Sequence, residues 1–138
     1  MCRGFESLLR YQIKMTKIAR IVAWLLIAAA IFLTIGPQKF RPHTGIEHEL
    51  EHFLAFAIVG LAFGLGYPGR GLILAMLGIA IAGMLETAQL WVPLRHAYFN
   101  DFLVNGSAAC MGIAAAALLH WIIGRVAAKP EKKISRPF

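Results

Sequence analysis

The stretch HELEH at residues 48–52 matches H-E-x-x-H, a helical pattern in which two histidines bind zinc and the glutamate acts as a base. A helix would place His48 and His52 on one face, because they are four residues apart. Such a zinc site needs a third ligand, and the sequence offers three candidates: Glu86, Asp101 and His96. One hypothesis is therefore a zinc-dependent metallopeptidase with Glu49 as base and Glu86 completing the metal site.

A second group of polar residues lies inside or beside long apolar stretches. A charged side chain in such a position costs about 2.5 to 3.5 kcal/mol on membrane-insertion scales. Glu86 and Gln89 are three residues apart, so they share one helix face, and Asp101 and Asn105 are four apart and share another. Small residues continue both faces: Ala82, Gly83, Ala108, Ala109 and Gly112. Because small residues let membrane helices approach closely, both polar faces are predicted to point into a helix bundle.

The elements that must position these residues are four apolar segments. Hydrophobic residues make up 59% of the 138-residue chain and charged residues 15%, a composition too apolar for an ordinary soluble domain. The segments comprise residues 18–36, 53–67, 71–85 and 102–124. With their flanks, they approach the roughly 20 residues that a helix needs to cross about 30 Å of hydrocarbon. The sequence therefore predicts an all-α polytopic membrane protein, a four-transmembrane-helix bundle.

Basic residues are concentrated at the two ends of the chain, which has a formal net charge of +7. Five lie before or at the first segment: Arg3, Arg10, Lys14, Lys17 and Arg20. Five follow the last: Arg125, Lys129, Lys132, Lys133 and Arg136. This positive-inside distribution predicts that both termini are cytoplasmic, and it explains the basic charge without nucleic acid as a partner. The predicted organisation is a basic cytoplasmic leader (1–17), a four-span membrane domain (18–124) and a basic cytoplasmic tail (125–138).

The first segment has a second interpretation, because a basic leader before an apolar stretch also describes a cleaved secretory signal. Such a signal ends in small residues at its cleavage site, whereas this segment carries Phe32, Leu33 and Ile35. The sequence favours a retained signal anchor.

Other conspicuous residues have structural interpretations. Gly60 and Gly64 form G-x-x-x-G, a pattern typical of close helix contacts. Trp24, Trp91 and His120 are interpreted as anchors at the membrane interfaces.

The predicted topology brings the polar residues to one level on the outward side. The second and fourth spans begin there and the third ends there, so Glu86 lies about 10 Å below the outer end of its helix at 1.5 Å per residue. The outer loop adds Arg95, which can pair with carboxylates or with a phosphate. We expect an outward-facing pocket in which Glu86 or Asp101 acts with His52 as acid and base. The predicted ligand-binding residues are Glu49, Gln89, Arg95 and Asn105.

The segment GMLETAQLWVPLRHAYFNDFLVNGSAACMG, residues 83–112, resembles the signature of the VanZ-like family of small bacterial membrane proteins. The shared pattern is E-x-x-Q, then Pro and Arg in a loop, then D-x-x-x-N-G and a later Gly. The matching residues are Glu86, Gln89, Pro93, Arg95, Asp101, Asn105, Gly106 and Gly112. The family also has a histidine followed by aromatic residues at the start of its second span, and His52 with Phe53 and Phe56 resembles that feature.

The chain departs from the family pattern at two positions. His48 and Glu49 stand where the family usually has Asp and Lys, which favours the H-E-x-x-H match as a product of local substitution. The resemblance covers residues 45–120 and implies a role in the cell envelope, since the founding member is associated with low-level resistance to teicoplanin. It implies no cofactor and no settled reaction.

Three hypotheses follow. The first is an integral protein of the bacterial cytoplasmic membrane whose polar pocket binds or modifies a lipid or lipid-linked cell-wall precursor, with a link to glycopeptide resistance. The second is the zinc metallopeptidase. The third is a structural or accessory subunit in which the polar cluster only fixes which helix faces meet. Self-association is compatible with the small-residue faces, although four helices also make a complete bundle.

Overall fold

The computed structural model describes residues 3–35, 48–91 and 99–127, with side chains in residues 13–33, 50–91 and 99–126. These ranges form four α-helices and no strand: α1 (Arg3–Ile35), α2 (His48–Gly66), α3 (Gly71–Gln89) and α4 (Phe99–Ala127). The all-α prediction is confirmed for this part of the chain. Several predicted features lie outside the described residues: Pro93, Arg95, His96, the side chains of His48 and Glu49, and the tail beyond residue 127.

Three of the helices are long and apolar enough to cross a membrane, over Ile13–Leu33, Gly71–Gln89 and Phe99–Val126. This length and composition indicate a membrane protein. The apolar part of α2 is shorter, Leu50–Gly66, and extends about 26 Å at 1.5 Å per residue. α1 begins earlier than the predicted first segment, at Arg3. Leucine, lysine and arginine are good helix formers, so the helix continues back through the basic leader.

The surface of the bundle is apolar, the reverse of a soluble protein. Leu72 is 77% exposed and Leu25 is 66% exposed, although both are large aliphatic residues. The exposed hydroxyl groups of Thr87 and Ser107 donate hydrogen bonds to carbonyl oxygens of their own helices, at 2.8 and 3.0 Å. A polar side chain whose hydrogen bond is made within its own helix can face hydrocarbon at a low cost in free energy.

α2 and α4 are in backbone contact because small residues line their interface. A methyl group added to Gly60 would overlap the carbonyl group of Ala109, and one added to Gly112 would overlap that of Ala57. A methyl group on Gly64 would come within 2.5 Å of α4. The interpretation of the G-x-x-x-G pattern as a helix contact is therefore confirmed.

A tight turn at residues 67–70 joins α2 to α3. Pro68 occupies its second position and Gly69, with φ of 80°, its third. This is a type II turn, which needs positive φ at the third position and therefore favours glycine. The N–H of Arg70 donates to the carbonyl oxygen of Tyr67 at 3.3 Å and closes the turn.

α1 packs beside the C-terminal end of α2. Arg20 donates a hydrogen bond from Nε to the carbonyl oxygen of Gly66 at 2.7 Å, and its guanidinium lies 4.6 Å from the ring centroid of Tyr67. One turn further along α1, Trp24 donates from Nε1 to the hydroxyl of Tyr67 at 3.2 Å. Its ring lies edge-on to that of Phe63, with centroids 5.5 Å apart. These contacts set α1 antiparallel to α2.

Candidate functional site

Four of the residues predicted to form a pocket are buried inside the bundle. Glu86 and Gln89, near the end of α3, are 7% and 5% exposed. Asp101 and Asn105, near the start of α4, are 8% and 2% exposed. Helix spacing thus correctly predicted that both polar faces point inward, away from the apolar surface.

Contacts between α3 and α4 fix the level of the carboxylate on α3. A methyl group added to Gly71 would lie 3.8 Å from the side chain of Ile113, and one added to Gly83 would lie 3.4 Å from the ring of Phe102. Residue numbers therefore fall along α4 as they rise along α3, and the two helices are antiparallel. Continuing this register by one turn brings Glu86 level with the first turn of α4.

Contacts between α2 and α4 place the histidine at the same end. Gly60 faces Ala109 and Gly64 faces Ala116, so residue numbers rise together and the two helices are parallel. Two turns before Gly60, this register brings His52 level with the first two turns of α4, which carry the buried aspartate and asparagine. His52 itself is half-buried.

An apolar cluster closes the site on the side toward the middle of the bundle. Its buried members are Phe56, Ala82, Leu85, Ala108 and Ala109. Three pairs of site and cluster residues are one turn apart along their helices: His52 with Phe56, Glu86 with Ala82, and Asn105 with Ala109. One turn is about 5.4 Å. The packing of this cluster therefore brings the polar residues of three helices to one level beside it. We call this group of residues the polar pocket: His52, Glu86, Gln89, Asp101 and Asn105.

Asn105 gives the polar pocket a buried hydrogen-bond acceptor. Its Oδ1 atom is buried and receives no hydrogen bond within the described part of the chain. Leaving a buried acceptor without a hydrogen bond costs about 1–3 kcal/mol of stability, so a matching donor stabilises the protein. A hydroxyl or amide group of a ligand can supply that donor. The carboxyl groups of Glu86 and Asp101 add groups that can exchange a proton.

The zinc hypothesis gains no support from the described residues. They include no group of three or more His, Cys, Asp or Glu side chains placed to hold a metal ion. The side chains of His48 and Glu49 lie outside the described residues, so the H-E-x-x-H site remains a hypothesis. Arg95, which was predicted to join the polar pocket, lies outside them too.

An apolar groove of about 340 Å³, which was not predicted from the sequence, is lined by residues of all four helices. Its lining includes Trp24, Phe63, Tyr67, Leu74, Leu77 and Ala109. Trp24 was interpreted only as an interfacial anchor. Gly60 and Gly78 both line the groove and lie against Ala109, but no spacing in the sequence indicates the groove.

No protein-family model, curated protein or solved structure matches this chain. The resemblance to the VanZ-like family accordingly stays a prediction. Function has to be inferred from the residues themselves and from their arrangement.

Proposed function

We propose that this chain is a VanZ-like protein of the bacterial cytoplasmic membrane whose polar pocket binds, and can modify, the head group of a lipid or lipid-linked cell-wall precursor. The observation that supports this proposal is the burial of two carboxyl and two amide side chains in a bundle with an apolar surface. Ionisable residues inside membrane helices are costly and by default indicate a functional site. The buried residues Glu86, Gln89, Asp101 and Asn105 are also those that carry the family resemblance.

The location of the polar pocket suits an amphiphilic ligand. It lies where α2 and α4 begin and α3 ends, and Glu86 is within one turn of the last residue of α3. A head group at the membrane surface can reach this depth while its chain stays in hydrocarbon. In this proposal Gln89 and Asn105 hydrogen-bond to hydroxyl or amide groups, and Arg95 binds a phosphate.

The chemistry we assign to the polar pocket is proton transfer. Glu86 or Asp101 acts with His52 as an acid and base pair, because these are its titratable groups with side chains in the described residues. Glu49, in the first turn of α2, contributes to ligand binding. A link to glycopeptide resistance follows if the ligand is the precursor that these antibiotics recognise.

The topology we propose has four spans, with both termini in the cytoplasm. The apolar part of α2, Leu50–Gly66, lies at the lower end of the roughly 17–25 residues of transmembrane helices. Arg20 and Arg70 lie at the end of the bundle opposite the polar pocket. Arginine and lysine accumulate on the cytoplasmic side, so this orientation directs the polar pocket outward.

The test is a set of single substitutions, Glu86→Gln, Arg95→Gln and Asp101→Asn, in a strain with a measurable envelope or antibiotic phenotype. Glu86→Gln and Asp101→Asn remove a charge at nearly constant size, and we expect at least about a tenfold loss of activity, as for the loss of an acid–base group. Arg95→Gln removes the positive charge assigned to the phosphate, and we expect activity to fall because the ligand binds less tightly. Thr87→Val and Ser107→Ala are matched controls, because they alter exposed hydroxyl groups on the same two helices.

Three results separate the hypotheses. Loss of activity in folded, correctly inserted variants supports the proposal. Full activity in all three variants rejects it. A parallel fall in folded yield and activity, with no loss confined to function, favours the structural subunit instead.

A further inference from the structure

The apolar groove extends from the apolar cluster beside the polar pocket to the turn at residues 67–70, at the opposite end of the bundle, and residues of all four helices line it. Trp24 and Ile27 of α1 form one side, α2 contributes Phe63, and α3 contributes Leu74 and Leu77. Trp24 is 60% exposed and Leu77 is 53% exposed, so the groove opens sideways onto the apolar surface of the bundle. A molecule dissolved in the hydrocarbon can enter it directly.

The length of the groove matches one acyl chain. Along α2 it runs from Phe56 to Tyr67, and along α3 from Arg70 to Ile81. Eleven residues of helix extend about 16 Å at 1.5 Å per residue. This is about half of the roughly 30 Å hydrocarbon core, which is the depth that the chain of a lipid in one leaflet occupies.

The polar groups of the groove are concentrated at one end. Arg70 lines that end and is exposed, and the turn at residues 67–70 holds its backbone against that of Tyr67. Arg20 lies over the ring of the same tyrosine and adds a second positive charge. The acidic side chains that the structure describes, those of Glu51, Glu86 and Asp101, all lie at the other end of the bundle. The mouth of the groove is therefore positively charged, and no described carboxylate there neutralises it.

We propose that the apolar groove binds one acyl chain of an anionic phospholipid and that Arg70 binds its phosphate group. Basic recesses between membrane helices recognise anionic head groups because an arginine pairs with phosphate oxygens at the membrane surface. The apolar walls supply affinity for the chain, and Arg70 supplies the preference for an anionic lipid over a zwitterionic one. Phe56 and Ala109 border both the groove and the polar pocket, but the proposed lipid site uses different polar groups and does not rest on the function proposed for the polar pocket.

Trp24 provides a direct reporter, because bromine atoms on an acyl chain quench tryptophan fluorescence at close range. The full chain carrying Trp91→Phe and Trp121→Phe keeps Trp24 as its one tryptophan, since the sequence has 3. This protein is placed in bilayers of unlabelled phosphatidylcholine with increasing fractions of brominated phosphatidylglycerol or brominated phosphatidylcholine. We expect half-maximal quenching at about a fivefold lower fraction of the anionic lipid, the preference that one arginine near the surface provides.

Two pairs of variants test separately the charge of Arg70 and the shape of the groove. Arg70→Gln removes the charge and is expected to abolish the preference for the anionic lipid, whereas Arg125→Gln changes an arginine near the end of α4 and keeps it. Leu74→Phe fills the groove and is expected to weaken quenching by both lipids. Leu72→Phe has no such effect, because Leu72 lies on the same helix but outside the groove and is 77% exposed.

The results of these experiments distinguish an anionic lipid from other occupants of the groove. Equal quenching by the two lipids, or an anionic preference that survives Arg70→Gln, overturns the proposal. So does competition by inorganic phosphate at a concentration too low to screen charge, because it would identify a site for the free anion. A Leu74→Phe variant that is quenched normally but self-associates less than the unsubstituted protein also overturns the proposal, because the groove would then be a contact between copies of the chain. If Arg70→Gln does not fold, raising salt from about 0.05 to about 0.5 M in the unsubstituted Arg70 protein tests the same charge, because screening must shrink the preference.

Discussion

Gly112 of α4 lies directly against the carbonyl group of Ala57 on α2, with no space for a methyl group between them. At this point the two central helices are separated by backbone atoms alone. The contact lies near the middle of the parallel α2–α4 pair and therefore sets the register that brings His52 level with the start of α4.

We predict that Gly112→Val destabilises the bundle, because even one carbon beyond Cα overlaps α2. Forced overpacking of this kind costs about 1–3 kcal/mol. The matched control is Gly124→Val on the same helix, where a methyl group would meet no atom within 4 Å. Detergent-titrated unfolding followed by tryptophan fluorescence measures both variants. Equal stability of the two would show that α2 and α4 do not meet at Gly112.

The hydrogen bond from Arg20 to the last turn of α2 yields a second prediction. Arg20→Gln removes the Nε donor that reaches the Gly66 carbonyl oxygen, and we expect a loss of about 1 kcal/mol, a modest value because the group is partly solvated. Lys17→Gln is the control, since it removes a positive charge one turn earlier on α1. An identical loss in the control would mean that only net charge matters.

The third prediction concerns the separation of stability from function at Asn105. This side chain is 2% exposed and its Oδ1 atom has no described donor. Replacing an unsatisfied polar group by an apolar one of similar shape is close to neutral or stabilising. Asn105→Leu should therefore unfold at the same or a higher detergent concentration while activity of the polar pocket falls. A large loss of stability would instead assign Asn105 a structural role.

The sequence correctly predicted the features that show helical spacing or that would be costly to expose to hydrocarbon. Glu86 with Gln89 and Asp101 with Asn105 have helical spacing, and the cost of exposing them to hydrocarbon leaves the interior as their location. The all-α class of the fold could be predicted from the apolar composition, because long apolar segments are suited to membrane-spanning helices. The G-x-x-x-G pattern likewise indicated that Gly60 contacts another helix.

The apolar groove could not be predicted in this way. The groove depends on how α1, α2 and α3 are arranged around Ala109 of α4. The spacing of residues within a single helix does not predict a gap between several helices. Trp24 lines the groove as well, which the sequence did not indicate because an aromatic residue at an interface and one lining a groove look alike in sequence. α1 also extends before the predicted apolar segment, since charged residues end a hydrophobic run without ending a helix.

Topology supplies the fourth prediction. If the bundle has four spans, a reporter fused after residue 138 and one fused before Met1 of the full chain report the same compartment, and one fused after Trp91 reports the opposite one. We expect fluorescent protein fusions to be bright at the first two positions and alkaline phosphatase to be active at the third. Opposite compartments for the two terminal fusions would require an odd number of spans and would exclude α2 or another helix from crossing.

The last prediction separates the polar pocket from the zinc site. A zinc site needs at least three protein ligands, and the H-E-x-x-H motif supplies two of them, His48 and His52. The function proposed above uses His52 without a metal ion. We expect metal analysis of the purified protein to give far less than one zinc per chain, and we expect His48→Ala to retain function while His52→Ala loses it. His52 lies level with the buried carboxylates in the register of α2 and α4, whereas position 48 is one turn nearer the end of the helix. Stoichiometric zinc that disappears in His48→Ala together with activity would reverse this assignment, because a metal site requires both histidines and an acid–base pocket requires only the inner one.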